Sequence, residues 1–148
     1  MLGSLARWLR IMGYDTVYYA DKEDDELRDE AEKTGRILVT RDSGLYQRAV
    51  KNKVQAVLIH QEQTTDQLKE IVKELNLNVE SVNTRCPRCN GALEPVDKEK
   101  VKDKVPGESF NAFDEFWTCL DCGAVYWKGS HWSQIEKTLN IVMDSNSL

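Results

Sequence analysis

Four cysteines in two Cys-x-x-Cys knuckles, Cys86-Pro87-Arg88-Cys89 and Cys119-Leu120-Asp121-Cys122, are the residues whose types and spacing most directly specify chemistry. They are all the cysteines in the chain. Each knuckle lets two thiolates converge on one ion, and a tetrahedral Zn²⁺ takes four. Gly123 follows the second knuckle and Asn90-Gly91 follows the first, which permits the tight turn a knuckle needs. Two disulfides are the alternative use of four cysteines. A chain with no secretory signal and a net charge of −5 is expected in the cytoplasm, where disulfides are rare. A redox Cys-x-x-Cys is a single pair beside a βαβ unit, not two pairs far apart. One structural Zn²⁺ on Cys86, Cys89, Cys119 and Cys122 is therefore expected. His131 is redundant as a ligand if four thiolates close the site.

A second constellation is acidic. Asp42 directly follows the apolar run Ile37-Leu38-Val39-Thr40, and Asp24 and Asp25 stand where the chain turns into a helix. The ordinary role of Asp42 at such a place is a turn or N-cap. The ordinary role of Asp24 and Asp25 is to complement a helix dipole. Read as lying after strands of one parallel sheet, they point to one edge, where carboxylates repel unless a cation sits among them. Oxygen ligands favour Mg²⁺ or Mn²⁺, which activate water and steady the charge of a phosphodiester displacement. Arg41 abuts Asp42, and Arg7 and Arg10 share the first helix with Trp8. The guanidinium fork suits phosphate oxygens, and a solvated helix face is the plain alternative.

The elements that must position these residues follow from periodicity. Leu2, Leu5, Leu9 and Met12 recur at helical spacing, and Gly13 ends the run. Thr16 to Ala20 reads as a strand, Asp24 to Lys33 as a helix stopped by Gly35, and Ile37 to Thr40 as a buried strand. Leu45 to Val50 reads as a helix, Ala56 to Ile59 as a strand, and Thr65 to Leu75 as a helix with Leu68, Ile71, Val72 and Leu75 on one face. Short apolar strands alternating with helices build a parallel sheet, whose site lies outside the carboxyl ends of its strands. From about Val82 the pattern changes. Phe116-Trp117-Thr118 and Ala124 to Trp127 flank the second knuckle as a hairpin, so the two knuckles read as a zinc ribbon. Ser130 is placed to cap a last helix carrying Ile135, Leu139 and Val142, with a frayed tail from Asp144 to Leu148.

Bulk properties set limits. With 148 residues the chain holds one ordinary domain or two small ones. Hydrophobic residues at 41% and charged residues at 30% exclude a disordered chain, and no apolar run is long enough to span a bilayer. The net charge of −5 argues against coating nucleic acid by charge alone, but not against a nuclease with acidic metal ligands.

Leu2-Gly3-Ser4-Leu5-Ala6-Arg7-Trp8-Leu9-Arg10, Gly13-Tyr14-Asp15-Thr16, Ile37 to Asp42, the two knuckles, and Val125-Tyr126-Trp127-Lys128-Gly129-Ser130-His131-Trp132 together resemble the Mut-seven C-terminal RNase domain family. The resemblance covers roughly residues 1–140. It implies a PIN-like three-layer α/β domain over residues 1–80 and a zinc ribbon with a C-terminal helix over 81–148. It also implies metal-dependent cleavage of RNA. The family's catalytic acids fall on Asp42 and Asp24, with Asp25 adjacent. The ribbon ligands fall on the four cysteines, and Arg7 and Arg10 match the family's Ala-Arg-Trp-Leu-Arg helix. Members carry a short apolar strand and an aspartate just upstream of that helix, which here begins almost at Met1. The sheet is thus expected to lack its first strand and the metal site one acid, with a protein partner as one way of completing the sheet. Three readings stand: a metal-dependent ribonuclease of single-stranded RNA, a non-catalytic zinc-ribbon module that binds RNA or protein, and a zinc-stabilised structural subunit of a larger complex. None involves a membrane.

Overall fold

A computed structural model describes residues 2–79 and 82–146. They fall into two units. The first comprises Tyr18–Leu77 and the residues up to Leu5; the second comprises Ala6–Val17 and the chain from Asn78 onward. Helix α1 (Gly3–Ile11) opens the chain.

In the first unit, α2 (Asp24–Thr34) has three acids in its first turn, complementing the helix dipole. Gly35 closes it at φ +71°, a left-handed conformation in which its N–H reaches Ala31 O. Strand β1 (Leu38–Thr40), helix α3 (Ser43–Lys51) and strand β2 (Ala56–Leu58) then form a βαβ crossover. The strands pair in parallel, with Leu38 opposite Ala56 and Thr40 opposite Leu58. Ile59 N–H donates to Thr40 O at 2.8 Å, which extends the ladder past the end of β2. Ala31, Leu38, Leu45, Ala49 and Val54 are buried together, with Leu27 and Ala56 packed on them. Helix α4 (Thr64–Leu75) buries Leu68, Ile71 and Val72, the i, i+3, i+4 face that its sequence pattern marks. These elements make a mixed α/β arrangement with a small parallel sheet.

Thr16–Ala20 is irregular rather than a strand. The reason is visible at Thr16, whose backbone groups are satisfied by side chains. Its N–H donates to Asn90 Oδ1 at 2.9 Å, and its carbonyl accepts from Arg10 Nε at 2.8 Å. β-Branched and aromatic residues favour a strand only where a ladder partner is available.

The second unit holds an antiparallel sheet of β3 (Leu93–Val96), β4 (Phe116–Cys119) and β5 (Val125–Tyr126), with β4 central. The expected hairpin around the second knuckle is β4–β5, with Trp117 opposite Tyr126. Strand β3 and the segment after it are not legible in the sequence. Lys98–Lys104 forms a 3₁₀ helix and Gly107–Ala112 forms α5. They exist because Val101, Val105 and Phe116 share a core with Val96, Phe110, Phe113, Val125 and Trp127. Pro95 is tolerated in β3 because that strand lies at the sheet edge. Helix α6 (Trp132–Asn146) buries Leu139 and Val142. It starts two residues beyond Ser130 and runs through most of the tail expected to fray. Ser147 and Leu148 lie outside the described residues, as does Ser81 at the expected domain boundary.

Candidate metal centre and acidic site

The knuckles bring the four cysteine sulfurs within 4.8 Å of one another. Cys86 Sγ lies 3.8 Å from Cys122 Sγ, and Cys89 Sγ lies 3.4 Å from Cys119 Sγ. All four thiols are free. Thiolates about 2.3 Å from a tetrahedral zinc stand about 3.8 Å apart, so the cluster is sized for that ion.

The two knuckles share one backbone design. Asn90 N–H donates to Cys86 O at 2.8 Å, and Gly123 N–H donates to Cys119 O at 3.0 Å. Asn90 (φ +71°) and Gly123 (φ +76°) take the left-handed turn. Gly91 N–H points at Cys89 Sγ and Cys122 N–H at Cys119 Sγ, each at 3.4 Å, where they stabilise thiolate charge. A Cβ on Gly91 would stand 2.8 Å from Cys119 Sγ and 2.6 Å from Asp121 Oδ2, so only glycine lets the chain pass there. Tyr126 OH donates to Cys86 Sγ at 3.0 Å, and burial and that thiol keep the phenol protonated by raising its pKa. Burial opposes ionisation of Cys119, but the N–H groups of Cys122 and Asp121 outweigh it and bring the thiol down to about 7. Partial burial and the neighbouring thiols push Cys89 up to about 12, against the N–H of Gly91. The donor set fits one structural zinc.

Arg10 serves this centre. It is 9% exposed, and one terminal nitrogen donates to Pro87 O at 2.9 Å and to Arg88 O at 3.4 Å inside the first knuckle. Asn90 Nδ2 donates to Asp15 Oδ1 at 2.7 Å, so Ala6–Val17 is stitched to the knuckle at several points. The donors expected to meet phosphate at Arg10 are engaged with backbone carbonyls. Arg7 and Arg41 are exposed.

The acids are arranged differently. Asp42 is the N-cap of α3, accepting Leu45 N–H at 3.0 Å, while its own N–H donates to Thr40 Oγ1 at 3.0 Å. Asp24 and Asp25 open α2 and line a cavity of ≈ 670 Å³ with Lys22, Glu23 and Arg48. Asp24 Oδ2 is 3.5 Å from Arg48, and Asp25 Oδ1 is 3.7 Å from Arg28. A Cβ on Gly44 would lie 3.1 Å from Asp42 Oδ1 and 3.4 Å from an Arg48 nitrogen. Arg48 therefore pairs with Asp24 through one terminal nitrogen while the other lies over the gap left by Gly44, on the Asp42 side of α3. Among the described residues, the cysteines are the one group of three or more potential metal ligands gathered closely enough for a single ion. Sequence reasoning missed Arg48. Its partner Asp24 lies on another helix, so no local spacing in the sequence marks it.

The small parallel sheet and the four-cysteine centre define a mixed α/β protein with a C-terminal metal-binding module. The chain belongs to the Mut7-C RNAse domain family, which matches residues 1–139 and hence almost the whole sequence. No curated protein and no solved structure matches it. Membership indicates a ribonuclease-like role with RNA as substrate. No helix among the described residues is long and apolar enough to cross a membrane.

Proposed function

We propose that the chain is a metal-dependent ribonuclease acting on single-stranded RNA, a PIN-like α/β domain with a C-terminal zinc ribbon. The observation that carries this reading is Asp42 at the carboxyl end of β1, capping the helix whose Arg48 holds Asp24, in a chain of an RNase family. Carboxylate oxygens suit Mg²⁺ or Mn²⁺. Such an ion needs only one or two carboxylates, with water and substrate phosphate supplying the rest, so Asp24 and Asp42 fit it. When bound, it supplies an activated water and neutralises charge at phosphorus. Asp25 lies one residue from Asp24 on the cavity wall and helps hold the site negative. Arg48 balances Asp24 until substrate enters. Arg7 and Arg41 offer exposed guanidinium groups to the RNA backbone, whereas Arg10 acts on RNA through the knuckle it holds. The zinc-bound ribbon is structural. Four free thiols suit a reducing compartment, consistent with the cytoplasm. Beside β1 the edge opposite β2 pairs with no strand among the described residues, and we place there the protein partner that would complete the sheet.

The second reading, a non-catalytic RNA- or protein-binding module, is favoured by the single observation that Arg48 already neutralises Asp24. Incubating labelled single-stranded RNA with the protein and Mn²⁺, with and without EDTA, separates the two. The ribonuclease predicts cleavage that EDTA abolishes. Retention of uncleaved RNA in a gel shift, with no product at any metal concentration, would favour the binding module.

A further inference from the structure

A second titratable pair lies at the same end of the sheet. His60 leaves β2 two residues after the paired Leu58, as Asp42 leaves β1 two residues after the paired Thr40. The ladder continues through Ile59 N–H to Thr40 O. Neighbouring strands stand about 4.8 Å apart, so the chain brings His60 to the edge that carries Asp42. The His60 side chain is 68% exposed, yet it is not free to turn. Its Nδ1 lies 2.6 Å from Glu70 Oε2, and the other Glu70 oxygen accepts His60 N–H at 2.8 Å and Gln61 N–H at 3.3 Å. Gln67, 2% exposed, fixes the same loop by donating to Gln61 O at 2.9 Å and Glu62 O at 3.4 Å. A carboxylate on Nδ1 sets the tautomer and leaves Nε2 directed away from it. Lys69 and Lys73 line the hollow of ≈ 410 Å³ beside Glu70, with Asp66 and Gln61.

We propose that His60 is the general acid of the ribonuclease reaction, with Glu70 as its positioning residue; the proposal rests on the ribonuclease reading above. Water attacks phosphorus, a P–O bond forms, and the bond from phosphorus to the leaving sugar oxygen breaks. His60 starts the step as the imidazolium, with its Nδ1–H held by Glu70; its Nε2 proton passes to that oxygen, the ring is left neutral, and the product leaves as an alcohol rather than an alkoxide. The attacking water gives its proton to solvent, and solvent returns one to His60. The apposition of His60 and Asp42 puts leaving-group protonation and phosphate activation on neighbouring strand ends.

General acids contribute about 100-fold or more, and only where the leaving group is a poor one. The test compares two substrates in Mn²⁺: single-stranded RNA, and a nucleoside 5′-p-nitrophenyl phosphodiester whose phenolate needs no proton. His60→Gln is expected to lower RNA cleavage by about 100-fold while changing p-nitrophenolate release less than about threefold. Glu70→Gln is expected to show the same split, more weakly. Equal losses on both substrates would make the pair merely structural and overturn the proposal, as would unchanged RNA cleavage in His60→Gln. If the unsubstituted protein releases p-nitrophenolate and cleaves RNA but His60→Gln shows no split, only the general-acid role falls. If it cleaves neither substrate, the ribonuclease reading falls and takes this proposal with it.

Discussion

Asp42 has two duties that a pair of substitutions separates. As an N-cap it satisfies Leu45 N–H, and in the proposed site it offers a charge to a hard cation. Asparagine caps as well as aspartate but carries no charge. Asp42→Asn should therefore leave urea stability within about 0.5 kcal/mol while abolishing metal-dependent cleavage. Asp42→Ala should abolish cleavage and also cost about 1 kcal/mol. Equal stability of the two variants would mean that the cap is not holding α3. Glu70 gives a pH signature at the same scale. Burial alone would raise its pKa, but hydrogen bonds from the His60 ring, His60 N–H and Gln61 N–H outweigh it and hold the carboxyl below its ordinary 4.5. A depressed folded pKa adds stability above the ordinary value, and that stability is lost as pH falls through the folded one. Chemical denaturation should find Glu70→Gln less stable than the unsubstituted protein near pH 7, with the gap closing as the pH falls below the ordinary 4.5 and through the lowered folded pKa. A gap that persists in acid would place the effect in packing instead. The cysteines and Asp42 were legible in the sequence because ligand spacing and capping are local. Arg48 was not, because its partner Asp24 sits on another helix.

Arg10 shows at the scale of elements what sequence pattern alone does not convey. On the helical face of α1 it reads as a phosphate contact, yet it donates to Pro87 O, Arg88 O and Thr16 O. Hydrogen bonds from a charged donor contribute about 1.5–3 kcal/mol each when buried, and removing one partner leaves carbonyls unsatisfied. Arg10→Ala should speed transfer of zinc to a colorimetric chelator by at least about tenfold, with Arg10→Lys intermediate because lysine cannot fork. Unchanged zinc transfer with weakened RNA binding would return Arg10 to a direct phosphate contact. The helices of the α/β part were readable because Leu27 and Ala31, Leu45 and Ala49, and Leu68 and Val72 each stand four residues apart within one helix. Residues 98–112 were not, since charge dominates them and their few apolar side chains gain meaning only against Phe116. Thr16–Ala20 has strand-forming residues, but Asn90 and Arg10 take the backbone groups of Thr16 that a ladder would use.

For the molecule as a whole, the centre reaches further along the chain than its two knuckles. Ala6–Val17 belongs to the same unit as the cysteines although more than sixty residues separate it from Cys86 in sequence. Metal binding free energy is folding free energy in small zinc modules. Removing zinc, or replacing Cys119 by Ser, should raise hydrogen exchange in Ala6–Val17 together with that of the three-stranded sheet. The βαβ core from Leu38 to Leu58 should keep its protection. Uniform deprotection of the whole chain would show instead that the two units fold as one.

In the proposed reading the acidic edge is a catalytic metal site. The direct measurement is cleavage of a labelled single-stranded RNA in Mn²⁺ by the unsubstituted protein, Asp24→Asn and Asp42→Asn, each confirmed to hold its zinc. Cleavage is expected from the first, loss of at least about 100-fold in each of the others, and restored activity in neither at higher Mn²⁺. Full activity in Asp42→Asn, or cleavage that survives EDTA, would contradict that reading.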